Sequence, residues 1–111
     1  MLRSRQRAFR SGGQVTSSEA VDDGRRVVLD LEGWRHIMDE HAELVPHRDS
    51  VLATVAAPDH RGSDPRTKRE RYCRRGLGPS RWLMVVVDYE SVPARVVTAY
   101  GNRREPRGWT P

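Results

Sequence analysis

The sequence predicts an α+β fold in two layers, with two N-terminal helices packed on an antiparallel sheet of about four strands. Three observations carry that expectation. Residues 82–88 and 95–100 are β-branched and aromatic runs of one strand's length, and the connector between them holds Pro93, which cannot continue a ladder. Ahead of them, residues 31–44 and 46–58 carry apolar side chains at helical spacing. Between the helices and this hairpin, residues 69–75 alternate around Tyr72 and Cys73 as a further strand.

Taken in order, residues 1–23 are polar, with Arg3, Arg5, Arg7 and Arg10 ahead of a Ser-, Gly- and Thr-containing run, and read as a flexible basic arm. Residues 25–29 read as a short strand. Asp30 then caps a helix from Leu31 to about Leu44, with Leu29 and Trp34 at the two positions of a hydrophobic staple. Trp34, Ile37, Met38 and His41 make its apolar face, while Glu32, His36, Glu40 and Glu43 lie towards the other side. Pro46 opens a second helix with Val51, Leu52, Val55 and Ala56 as its buried stripe, and Pro58 stops it. Residues 59–65 are turn-rich. The strand 69–75 is very basic and ends at the turn 76–79. Val85, Val86 and Val87 are consecutive, so both faces of that strand lose water: helices cover one, and the other is at least partly covered. On the last strand Val97 and Ala99 point one way and Val96, Thr98 and Tyr100 the other. The single domain spans 24–103, and 104–111 is a turn-like basic tail whose Trp109 either docks back or hangs free.

At 111 residues the chain holds one domain, enough for a two-layer core and too small for a deep enclosed catalytic cavity. A formal charge of +5 and a pI near 10.3 favour an anionic partner such as nucleic acid, an acidic protein or a membrane surface. Nineteen of the twenty basic residues are Arg, a bias that a GC-rich genome also produces. The clustering says more: eight basic residues fall between Arg61 and Arg81 against Asp64 and Glu70. Such a run serves either anion binding or the guarding of an exposed sheet edge. Cys73 is the only cysteine, which excludes a disulfide framework and a cysteine zinc site. No run approaches the roughly 18 apolar residues of a membrane span, and no apolar signal segment follows the basic start, so a cytoplasmic protein without membrane contact is expected.

Imidazole titrates near pH 6.5 and can act as base or acid without special tuning, so the histidines are the first candidates for proton transfer. His36 and His41 are five apart and do not share a helix face, which argues against a metal site. His47 and His60 attract no role. Arg71, Arg74 and Arg75 suit phosphate, because guanidinium offers fixed bidentate geometry and keeps its charge. Thr98 and Tyr100 can then contact a substrate from the neighbouring strand. RNA cleavage needs a base for the 2′-hydroxyl, cationic stabilisation of the phosphorane and a proton for the leaving oxygen. Whether Arg71, Thr98 and Tyr100 share a face depends on strand register, since a slip of one residue reverses each side chain.

The order Trp34-x-His36-Ile37-x-x-x-His41-x-Glu43-Leu44, Val55-x-x-Pro58-Asp59, Arg71-Tyr72, Trp82-Leu83-x-Val85-Val86-Val87 and Val97-Thr98-Ala99-Tyr100 resembles the phage and mobile-element branch of the barnase, EndoU, colicin and RelE-like (BECR) nuclease superfamily. The resemblance covers residues 27–103, with Ala42 where relatives often carry proline. It implies a ribonuclease fold that needs no metal or other cofactor, often deployed as a toxin with a neutralising partner. Candidate catalytic residues carried over are His36, His41, Arg71, Thr98 and Tyr100, with Tyr72, Arg74 and Arg75 as substrate-binding residues. The expected function is a small ribonuclease-like protein acting on RNA, with an acidic antitoxin or immunity protein as a second partner. The alternatives are a non-catalytic nucleic-acid- or protein-binding module on the same fold, and a structural phage protein whose charge is incidental.

Overall fold

A computed structural model describes residues 16–64 and 68–111, with residues 16–22 described in backbone only. The chain runs β1 (Thr16–Asp22), β2 (Arg25–Asp30), α1 (Leu31–Glu40), a 3-10 helix (Ala42–His47), α2 (Arg48–Ala56), β3 (His60–Ser63), β4 (Arg69–Arg75), β5 (Trp82–Asp88) and β6 (Ala94–Asn102). The fold is α+β, and the six strands form one mixed sheet in the order β1-β2-β6-β5-β4-β3. All neighbours are antiparallel except β2 and β6, which pair in parallel through Val27 with Ala94 and Val28 with Arg95.

The expected sheet of about four antiparallel strands is corrected in three places: the β2–β6 pair is parallel, and two strands are added, each of these for a physical reason. Residues 16–22 fell inside the expected flexible arm, yet they form β1; the rest of that arm, 1–15, lies outside the described residues. The two-residue link Asp23-Gly24 has φ of 57° and 78°, the left-handed pair of a type I′ turn, whose twist matches a hairpin. Residues 60–63, expected as turn, pair with β4 instead. Asp64 closes that hairpin by donating its N–H to the Arg69 carbonyl at 2.9 Å. The helices thus follow a hairpin rather than opening the domain.

Asp30 caps α1 as expected, accepting from the Gly33 N–H at 2.8 Å. The helix ends at Glu40 rather than near Leu44. Pro46 has no N–H to return to the Ala42 carbonyl, and the chain tightens into 3-10 turns over Ala42–His47 before α2 begins. Both helices lie on one face of the sheet. Val27, Leu29, Trp34, Ile37, Leu44, Val51, Val55, Tyr72, Leu83, Val85, Val87, Val96 and Ala99 fill the space between.

The other face, here the outer face, carries a smaller cluster of Cys73, Trp82 and Met84, with Tyr100 and Trp109 packed against it. Trp109 therefore docks: its ring meets Trp82 edge-on at 5.1 Å between centroids. Val86 pairs with Thr98 but Val87 with Val96, so Val97 is the extra residue of a β-bulge. That bulge corrects the expected facing of β6: Val96 joins Ala99 in the helix-side core, and Thr98 and Tyr100 stay on the outer face. Among the described residues no helix is long and apolar enough to cross a membrane.

Candidate functional site

Register decides what each face can offer. Across β4, β5 and β6 one row runs Arg71, Val86, Thr98, and across β3 to β6 the next runs His60, Cys73, Met84, Tyr100. Directly paired residues point to the same face, so Arg71, Thr98 and Tyr100 share the outer one, together with His60 and Arg75. Tyr72 and Arg74, alternating with these on β4, face the helices. Tyr72 is fully buried in the main core, its hydroxyl bonded to that of Tyr89, and cannot touch a substrate on the outer face. Arg74, opposite Leu83, is likewise separated from Arg71 by the thickness of the sheet.

Beside β3 and β4 the outer face opens into a cleft of about 450 Å³ lined by His60, Gly62, Ser63, Arg71, Cys73, Pro106 and Arg107. Two segments build it. The β3–β4 hairpin gives the floor, and the C-terminal segment after β6 comes back across the sheet to give a wall. The hairpin is tied at its other end by Asp59, whose carboxylate accepts the Arg75 N–H at 2.9 Å and whose own N–H meets the Cys73 carbonyl at 2.8 Å. The returning segment is held by Pro106, which is buried, and by Trp109 over the Arg75 guanidinium at 4.5 Å.

Inside the cleft, Arg71 Nη2 donates to Asp64 Oδ1 at 3.2 Å, and Asp64 is itself only 8% exposed. This bond fixes the guanidinium plane. Arg71 Nε is buried with no hydrogen-bond partner among the described residues. An unmade bond of that kind costs about 1–3 kcal/mol. Burial pushes the Cys73 thiol up to about 11, with Arg71 pulling weakly the other way, so at neutral pH it is a protonated, apolar piece of floor and not a nucleophile.

The expected histidines lie elsewhere. His36 is exposed on α1. His41 ends that helix, its Nδ1 3.8 Å from Glu43 Oε2 and its ring 5.9 Å from that of Tyr100. That small cluster sits at the side of β6 remote from β3. Three strand steps separate Tyr100 from His60, about 14 Å at the usual strand spacing. Arg71 and His41 are therefore in different places, with Arg71 held towards the β3 side by Asp64. Among the described residues no group of three or more His, Cys, Asp and Glu side chains is placed to hold a metal ion.

Arg61, on the helix side of β3, belongs to the scaffold. Burial disfavours its charge, but Glu70 at 2.6 Å and Asp23 outweigh that and raise its pKa, tying the β1–β2 turn to β3 and β4. His60 and Arg107 are the site residues that sequence reasoning passed over. The four-residue polar strand His60–Ser63 has no apolar alternation to announce it, and nothing local places residue 107 opposite residue 60. No family model, curated protein sequence or solved structure matches this chain.

Proposed function

We propose that this chain is a small, basic, metal-independent ribonuclease-like protein of the BECR type, with RNA lying across the outer face of its sheet. One observation carries the reading: Arg71, Thr98 and Tyr100 fall on the same face, and that face also presents Arg75, His60 and Arg107. A strand running from β6 to β4 would meet Tyr100 and Thr98 together on β6, pass the buried Met84 and Val86 of β5 and reach guanidinium groups on β4, an aromatic and cationic combination that suits stacking and phosphate neutralisation. Helices on one face of an α+β sheet leave the other for this purpose, in keeping with the resemblance to nucleases drawn from the residue order. In the catalytic step, His41, supported by Glu43 and beside Tyr100, takes the 2′-hydroxyl proton as that oxygen bonds to phosphorus, an outer-face arginine stabilises the charge on the phosphorane oxygens, and the P–O5′ bond breaks with the 5′-oxygen taking a proton from solvent. An acidic neutralising protein would cover the same basic face.

A second reading, a non-catalytic RNA-binding module, is favoured by the distance between His41 and the Arg71 guanidinium, which Asp64 holds away from it. One experiment separates the two. Purified protein is incubated with total RNA in EDTA beside His41→Ala, and binding is followed in parallel. Fragmentation by the wild type and none by His41→Ala is the expected result. Intact RNA with both, though retained on the protein, leaves the binding module. Neither cleavage nor retention removes RNA altogether.

A further inference from the structure

The cleft between the β3–β4 hairpin and the C-terminal segment has no part in the chemistry assigned to His41, yet it gathers nitrogen donors. His60 and Arg71 come from neighbouring strands, two residue pairs apart in register and so on the same face, and Arg107 comes from the returning segment. The Arg71 guanidinium is oriented by Asp64, and its side chain remains 31% exposed towards the cleft. Gly62, opposite Arg71, brings no side chain into the cleft; a Cβ there would meet His60 Nε2 at an ordinary contact distance of 3.5 Å. Cys73 and Pro106 give the cleft apolar surface between the donors. Its 450 Å³ lies within the range of small-molecule sites and exceeds what a carboxylate alone would fill.

We infer that this cleft is a pocket for one phosphate group and part of its attached nucleoside, with Arg71 and Arg107 on the phosphate oxygens, His60 as a third donor, and Cys73 and Pro106 against the sugar. The inference rests on the RNA reading above and extends it to a site that the C-terminal segment completes. A phosphate has enough acceptor oxygens to engage all three side chains at once, and arginine's planar fork suits it. The phosphate can belong to an RNA strand or to a free nucleotide.

The test is a titration of the full chain followed by amide and side-chain NMR, first with inorganic phosphate, then with a nucleoside 3′-monophosphate, then with a single-stranded oligoribonucleotide. Saturable shifts at His60, Gly62 and Arg107 with inorganic phosphate are expected, with the nucleotide binding more tightly. Arg107→Ala, an exposed position whose loss spares the fold, weakens the nucleotide at least tenfold, and Arg104→Ala outside the cleft leaves it unchanged. Tighter binding of the oligonucleotide than of the nucleotide assigns the pocket to RNA; equal binding assigns it to free nucleotides. If phosphate and nucleotide move none of these signals, or Arg107→Ala binds as the wild type does, the pocket is overturned. Shifts at Thr98 and Tyr100 with the oligonucleotide would then leave the RNA reading standing, and their absence would remove both.

Discussion

Cys73 lies at 1% exposure in the row between His60 and Met84, and its thiol is pushed from an ordinary 9.0 up to about 11 by burial, with Arg71 opposing. The raised value makes folding depend on pH in one direction. Below pH 9 both folded and unfolded chains hold the proton and the contribution is intact. As pH rises through 11 the unfolded chain has already released its proton, and up to about 2–3 kcal/mol is lost. Urea unfolding of the wild type and Cys73→Ala between pH 8 and pH 11 should show the two stabilities converging as pH rises; parallel curves would contradict the assignment. The same alternation that buries Cys73 beneath the outer face explains an error in reading the site from sequence. The resemblance carries Arg71 and Tyr72 over together as site residues, although they are adjacent on one strand. Adjacent residues of a strand point to opposite faces, so only one of them can serve a given surface. Arg71 has the outer face, and Tyr72 is core.

Among the elements, α1 is set by one close approach. A Cβ on Gly33 would lie 2.8 Å from the Val96 carbonyl oxygen, a backbone atom of β6 that cannot swing aside. Gly33→Ala gains about 1 kcal/mol of helix propensity and loses about 1–3 kcal/mol to overpacking, so a net loss of stability is expected in thermal or denaturant unfolding. A variant as stable as the wild type would mean that α1 does not seat on β6 as described. The elements legible in the sequence are those whose signals are local: the Asp30 cap, the strand Arg69–Arg75 and the apolar strand Trp82–Asp88. The Asp23-Gly24 turn signal is also local, but the polar residues before it do not announce a strand, although a hairpin edge needs pairing more than burial. The parallel contact of β2 with β6 was out of reach, since it joins segments more than sixty residues apart through two residue pairs.

For the whole molecule, topology gives the two faces of the sheet different covers. The helices occupy one side of the sheet, and the C-terminal segment covers only part of the other, where Trp109 and Trp82 bracket Arg75. A net charge of +5 favours an anionic partner, and the strands and the returning segment decide where such a partner would lie. The docking of that segment was not legible, because Trp109 finds Trp82 only after β5 and β6 have formed. The central claim is that RNA lies on the outer face. It is tested most directly by the affinity of a single-stranded oligoribonucleotide, in EDTA at fixed salt, for the wild type, Tyr100→Ala, Arg75→Ala and Arg35→Ala. Tyr100 and Arg75 belong to the outer face, whereas Arg35 is exposed on α1. Loss of a stacked base or a phosphate contact predicts affinities lower by roughly five-fold or more for the first two variants, with Arg35→Ala unchanged. Equal affinity for all four, or a loss confined to Arg35→Ala, would contradict the account.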